Sequence, residues 1–340
     1  MTDRPSRVAI LYNAPVLPQG HPDRESEADV VAVARAIALS LKGAGFRANP
    51  IPASPPIGGL VGRLINPSPD VVFNLIEGFG GASGGEAHIT GVLELLGLPY
   101  TGCPPESMSL GHSKGRTKAV LRGFGLPTAS FLVVDQDRST PRWEGPWPVI
   151  VKPEAEDASL GIDQGSVAES PEKLGEAVAR LRAKHEGDIL LEAYLPGREF
   201  NVGVIALPEP EALLVAEIVY DLPPGSWPIL TYDAKWAVGS LEDRGSVPRC
   251  PASIDRQLAE ELSRLAVLGF RAIGCRDYAR VDFRLDEAGR PMILEVNPNP
   301  DIGPGAGWSR ALVASGRDYD ATLAALVNQA WTRSGRRRDD

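Results

Sequence analysis

The chain has 340 residues, 43% hydrophobic and 23% charged, an ordinary globular composition with length for two or three domains. Its net charge of −9 argues against nucleic acid as a partner. Three widely spaced cysteines (Cys103, Cys250, Cys275) and four scattered histidines argue against a disulfide framework or a Cys/His metal centre, and no apolar stretch approaches a membrane span, so a cytoplasmic protein with no membrane partner is expected.

In chain order, the continuous apolar run "RVAILYN" (7–13) predicts a buried parallel strand. Residues 25–42 place Val30, Val31, Ala34, Ile37, Ala38 and Leu41 at helical spacing. "PDVVFNLIEG" (69–78) predicts a second strand, followed by the loop "GFGGASGG", the helix "EAHITGVLELLG" and a third strand at "LPYTG". Strand alternating with helix predicts a parallel α/β domain over about residues 1–112.

The helix "SKGRTKAVLRGFG" opens a second region. Strands are expected at "ASFLVV", "WPVIVKP" and "GSVAES", then a helix over 171–184 and the strand "DILLEAYL". This makes a small α+β unit over 113–199. A third unit, 200–330, carries strands at "EFNVGVIAL", "ALLVAEIVY", "ARVDFRL" and "PMILEVN", with helices over 255–273 and 320–332. Residues 331–340, with "RSGRRRDD", are expected to form a solvated, flexible tail. The irregular segments 155–165 and 222–247, rich in Gly, Pro and Asp, are expected to act as lids.

The chemistry concentrates at strand ends. Alternation places Ile293, Glu295 and Asn297 on one face of their strand, and Arg280, Asp282 and Arg284 on one face of theirs. The connecting "DEAGRP" predicts a hairpin. A turn centred on Ala288–Gly289 sets Asp282 opposite Glu295 and Arg280 opposite Asn297. Two close carboxylates and an amide oxygen suit a hard divalent cation such as Mg²⁺, which relieves their repulsion. The same pattern fits a solvated strand edge with a salt bridge from Arg280 to Glu295.

Lys152 ends an apolar strand beside the small-residue loop "EDASLG", where Ser159 and backbone N–H groups suit phosphate oxygens. Lys114 stands in the first turn of a helix, where N–H groups also attract anions. Singly, either lysine also reads as a surface charge. Glu192 closes a strand before a turn through Pro196 and Gly197, with Glu199 seven residues on; this fits a hinge that presents backbone to a flat heterocycle, or a plain linker. The chain lacks a G-x-G-x-x-G frame and a P-loop ending.

With these residues in view, the sequence resembles the ATP-grasp superfamily, and within it the D-alanine–D-alanine ligase-like branch. The resemblance runs through "GVLELLGLPYTG" (91–102), "SKGRTKAVLRGFGLPT" (113–128), "VIVKPEAEDASLGI" (149–162), "LLEAYLPGREF" (190–200), "TYDAKW" (231–236) and "RVDFRLDEAGRPMILEVNPNP" (280–300), in the family's order. It implies an ATP-grasp fold in which a parallel α/β domain precedes two α+β subdomains that sandwich ATP. It implies that Lys114 and Lys152 contact phosphates under loop 155–161 with Ser159. Glu192 and the backbone of Ala193 and Leu195 would read adenine, Glu199 the ribose, and Lys235 the γ-phosphate. Asp282, Glu295 and Asn297 would hold two Mg²⁺, for which Mn²⁺ can substitute, and Arg280 would stabilise an oxyanion. The implied activity is ADP-forming carboxylate–amine ligation of amino acids or small peptides through an acyl phosphate, by a homodimer.

Departures lie on the amino-acid side. The family's Glu–Ser–Tyr trio reads Glu25, Ala158 and Trp236 here. A His is replaced by Glu77, and Gly-Met-Thr by Asp301-Ile302-Gly303, which makes Glu25, Glu77, Asp301 and Gly303 the candidate substrate residues. Arg284 falls near the adenine pocket, where an apolar residue is usual. The expectation is therefore a substrate pair other than two D-alanines, with Glu77 and Asp301 facing an amine or guanidinium unless they are solvated loop acids. The alternatives are D-alanine–D-alanine ligase itself and a non-catalytic nucleotide sensor.

Overall fold

The computed structural model describes residues 4–15, 24–81, 83–136, 142–156 and 159–335, and for 24–28 the backbone only. Strand β1 (Arg7–Asn13) is followed by α1 (Arg24–Gly43), β2 (Arg47–Ala53), α2 (Ile57–Ile65), β3 (Val71–Leu75) and α3 (Gly85–Leu95). The three strands form a parallel sheet in the order β2-β1-β3. Alternation divides β1 between two cores: Val8 and Ile10 face Ala34, Ile37 and Leu41 of α1, while Ala9 and Leu11 face Leu60, Leu64, Ile89 and Leu93. The segment "LPYTG", expected as a third strand, contributes an isolated bridge from Tyr100 to Val72. The place beside β1 belongs to β2, whose Pro50 and Pro52 are tolerated at a sheet edge.

Helices α4 (Pro105–His112) and α5 (Lys114–Gly123) lead into the central unit. Its strands β4 (Phe131–Val134), β5 (Val149–Pro153), β6 (Val167–Ala168) and β7 (Ile189–Ala193), with α6 (Pro171–Arg182) before β7, form an antiparallel sheet in the order β4-β7-β5-β6.

The third unit runs β8 (Glu199–Ala206), β9 (Pro210–Ala212), β10 (Ala216–Tyr220), α7 (Tyr232–Trp236), α8 (Leu241–Gly245), β11 (Ser246–Arg249), α9 (Arg256–Ala272), β12 (Tyr278–Leu285), β13 (Pro291–Asn297), α10 (Gly307–Ala314) and α11 (Tyr319–Arg333). Its sheet order is β11-β10-β8-β12-β13, with β9 also on β8. The run "ALLVAEIVY", expected as one strand, divides between β9 and β10. The break lies against Gly203, where an added Cβ would stand 2.9 Å from both Leu213 and Trp308.

Helix α9 buries Leu262, Leu265, Ala266 and Phe270 against Val202, Val281, Phe283, Ile293 and Val296. Each fully buried Leu or Phe contributes roughly 1.5–3 kcal/mol, so the strands that carry the polar site are backed by a dry layer. Residues 331–333, expected in the flexible tail, close α11 instead: Trp331 joins the core of the parallel sheet. Arg333 donates to the fully buried Asp277 (2.7 Å), which also accepts from Gly102 N (2.9 Å) and Gln329 Nε2 (2.9 Å). A buried carboxylate needs such partners, and they pin α11 and the N-terminal domain to the start of β12. Among the described residues no helix is long and apolar enough to cross a membrane.

Candidate active site

The β12–β13 hairpin has the expected register: Arg280 opposes Asn297 and Asp282 opposes Glu295. A shift follows, because Phe283 opposes Ile293 and leaves Leu294 as an extra residue. This bulge corrects one expectation. Ile293 does not share a face with Glu295 and Asn297; it is fully buried against α9 with Val296, while Leu294, Glu295 and Asn297 line the cleft.

Arg280 reaches along its own strand to Asp282 with two bonds of 2.7 Å, and stands 3.9 Å from Glu295. Its guanidinium does for the carboxylates what a bound cation would do. Burial opposes ionisation of Glu295, but Lys114, Arg280, Lys152 and Lys235 hold it down at about 2. Burial raises the pKa of Asp282 in spite of Arg280. Asn297 Oδ1 accepts from Asn299 N (2.8 Å), and Asn299 Nδ2 donates to Ile76 O (2.7 Å), which fastens this loop to the N-terminal domain. Among the described residues no three His, Cys, Asp or Glu side chains form a metal-binding group. The donor set is two carboxylates and an amide, oxygen only, which fits Mg²⁺ completed by substrate oxygens.

The lysines converge on the same cleft. Ser113 caps α5, so Lys114 occupies its first turn and donates from Nζ to Glu156 O. Lys152, at the end of β5, lies 2.5 Å from Glu192 Oε2. The other oxygen of Glu192 pairs with Lys118. Lys118 was missed in the sequence, although its position four residues after Lys114 puts it on the same helix face. It is fully buried and also donates to Thr128 Oγ1 (2.9 Å), which donates to Ile293 O (2.8 Å) beside the bulge. Burial lowers the Lys118 pKa to about 8, with Glu192 opposing the fall. Glu154, also missed, accepts from Ser113 Oγ (2.5 Å) and Gly115 N (2.9 Å) at the head of α5.

Beyond Glu192, Ala193 donates its N–H to Ser130 O (2.8 Å). Ala193 and Leu195 pack with Ala129, Met292 and Leu294 as an apolar wall. Glu199 accepts from Tyr220 (2.8 Å) and faces Arg284. Asn201, missed although it shares a face of β8 with Glu199, opposes Asp282 and lines the cleft.

Lys235 projects from α7, whose first turn is capped by Thr231, and enclosure followed by repulsion from Arg280 lowers its pKa. Ser159 has the left-handed φ of 62° and lines the same cavity. Ala158 and neighbouring Asp157 lie outside the described residues, as does the Glu25 side chain.

Lys114, Lys152, Ser159, Glu192, Glu199, Asn201, Lys235, Arg280, Asp282, Glu295 and Asn297 line a cavity of about 520 Å³, with Lys118 and Glu154 behind them. Asp29, Glu77, Glu86 and Asp301 also stand among its lining residues. Gly303 stands behind the wall rather than in it. Its N–H donates to Asp301 Oδ1 (2.7 Å), and an added Cβ would lie 2.6 Å from Val33 of α1.

Cations, hard oxygens and an apolar slot thus meet between two antiparallel sheets, behind a parallel-sheet domain. The same fold occurs in D-alanine–D-alanine ligase from Bacillus anthracis complexed with ATP, at a TM-score of 0.76 and 16% identity, over 97% of this chain and 99% of that one. Fold and site define an ADP-forming ligase of the ATP-grasp class. The family profile "D-ala D-ala ligase C-terminus" matches residues 120–328. D-alanine–D-alanine ligase from Alcanivorax borkumensis is 34% identical over 287 residues, 81% of this chain and 85% of its own. Uncharacterized protein y4sG from Sinorhizobium fredii is 33% identical over 276 residues, 80% of this chain and 79% of its own. The chain belongs to the D-alanine–D-alanine ligase family.

Proposed function

We propose that the protein joins the carboxyl group of one amino acid to the amine of another with ATP, through an acyl phosphate, and that D-alanine is the first substrate to test. The observation that carries this reading is the convergence of Lys114, Lys152, Lys235 and Arg280 with Asp282, Glu295 and Asn297 on one cleft. Curated relatives that cover most of the chain are named D-alanine–D-alanine ligase, which supports D-alanine over the different pair expected from the departures.

Glu192 and the Ala193 carbonyl would accept from the adenine amino group, the apolar wall would take its face, and Glu199 would take the ribose hydroxyls. Lys114, Lys152, Ser159 and Lys235 would surround the phosphates. Asp282, Glu295 and Asn297 would hold Mg²⁺, which supplies charge neutralisation on the phosphate oxygens. The acid substrate's carboxylate attacks the γ-phosphoryl group, and ADP leaves. The amine then attacks the carbonyl of the acyl phosphate, and phosphate departs from the tetrahedral adduct. Arg280 serves that oxyanion once Asp282 has another cation to satisfy it. The segment carrying Lys235 excludes water that would hydrolyse the acyl phosphate.

Asp29, Glu77, Glu86 and Asp301 in the cleft wall favour a second reading, in which one substrate carries an extra cationic group. ADP release measured across D- and L-amino acids and short peptides decides between them. Turnover confined to D-alanine supports the first reading. Turnover that requires a Lys- or Arg-like partner supports the second, and no release with any pair defeats both.

A further inference from the structure

Arg284 holds a place in the nucleotide half where an apolar residue is expected. It lies on β12 opposite Glu199 of β8, with its side chain 5% exposed on the cleft wall. Its Nε is 3.4 Å from Glu199 Oε2 and makes no hydrogen bond, although buried. Its Nη2 donates to Pro228 O, in the connection that leads to Lys235. Its guanidinium carbon stands 5.2 Å from the ring centre of Tyr194 and 5.7 Å from that of Tyr220, and Tyr220 donates to the same Glu199 oxygen (2.8 Å).

The connection is fastened at neighbouring points. Trp227 packs edge-on to Tyr194 at 5.1 Å. Trp227 N donates to Gln164 Oε1 (2.7 Å), Gln164 Nε2 donates back to Trp227 O (3.2 Å), and Tyr232 N donates to Ile162 O (3.0 Å). Arg284 therefore touches three things at once: the hinge residue Tyr194, the acid placed for the ribose, and the segment that brings in Lys235. A buried guanidinium is costly unless each such contact is kept, and its planar fork can hold a carboxylate and a carbonyl in fixed directions while its face stacks on rings.

We propose that Arg284 is a positioning and specificity-determining residue for the nucleotide sugar, which orients Glu199 toward the ribose hydroxyls and ties that recognition to closure of the 222–236 segment over the phosphates. The proposal rests on the nucleotide reading above. When ribose hydroxyls donate to Glu199, they fix the carboxylate that Arg284 faces, and Arg284 in turn fixes Pro228. Loss of the sugar contact then loosens the segment seven residues before Lys235.

The test uses full-length wild type, Arg284→Met and Arg284→Lys, each confirmed as folded by circular dichroism. Calorimetry with Mg²⁺ and the β,γ-imido analogue of ATP, or its 2′- and 3′-deoxy forms, gives affinity. Chymotrypsin nicking at Trp227, Tyr232 and Trp236 reports closure. In wild type, nucleotide is expected to protect the segment, and one deoxy form to bind roughly tenfold more weakly, the scale of a charge-assisted hydrogen bond. In Arg284→Met both the deoxy penalty and the protection are expected to fall away. Arg284→Lys, which keeps the charge without the fork, is expected to retain part of the affinity and little of the protection. Wild-type deoxy penalty and protection in either folded variant overturn the proposal. If wild type binds no nucleotide, the nucleotide reading fails and takes the proposal with it.

Discussion

Glu192 is the single anion seen between two buried ammonium groups, and its replacement by Gln gives a worked test of the site's electrostatics. Glu192 is 1% exposed, and its partners Lys118 and Lys152 are 0% and 11% exposed. Breaking a buried pair by removing one member costs about 3–5 kcal/mol. Lys118 offers partial relief by giving up its proton. Its pKa is about 8 with Glu192 present, and without that carboxylate it falls further. The expected destabilisation at pH 7 is therefore toward the lower end of that range, about 3 kcal/mol.

The pH dependence has a definite sign. Through the window below about 8, native wild type keeps the Lys118 proton and the variant's native state does not. The unfolded chains bind alike, so the wild-type advantage declines as pH rises toward 8 and levels off above it. Urea unfolding of both proteins from pH 6 to 9, followed by tryptophan fluorescence, measures this. A difference that stays constant, or grows with pH, refutes the assigned pairing.

Asp282→Asn removes the partner of Arg280 and a candidate Mg²⁺ ligand together; ADP release is expected to fall by roughly two orders of magnitude or more, and a Mg²⁺ titration of rate checks it. Arg333→Ala leaves the fully buried Asp277 with neutral donors only, so a loss of about 2–3 kcal/mol is expected in urea unfolding, discounted because Arg333 is 31% exposed. Gly303→Ala drives a methyl group into Val33; overpacking of this kind costs about 1–3 kcal/mol, with the midpoint of thermal unfolding expected to drop and the KM for ATP to hold.

The hairpin was legible because two local rules act together: side chains alternate along a strand, and a short turn fixes register. Those rules set Asp282 against Glu295 and Arg280 against Asn297. They cannot announce a bulge, and the bulge at Leu294 turns Ile293 away from Glu295 and under α9. Helices with strong apolar periodicity, such as α9, were readable. Strand β2 was not, because Pro50 and Pro52 interrupt a pattern that only its edge position tolerates. The Lys118–Glu192–Lys152 contact joins three elements, α5, β5 and β7, across 74 residues from 118 to 192, and no spacing rule connects them. Arg333 looked like part of a charged tail because its partner, Asp277, is buried far away in sequence.

In the proposed reaction this cleft activates a carboxylate by transfer of a phosphoryl group to it. The direct measurement supplies D-alanine labelled with ¹⁸O in its carboxyl group, or whichever acid the ADP-release panel identifies, together with Mg²⁺, ATP and the amine, and determines the isotope in the released phosphate by mass spectrometry. One ¹⁸O in the phosphate for each amide bond made, with ADP as the other product, is the expected result. Unlabelled phosphate, or AMP in place of ADP, contradicts it.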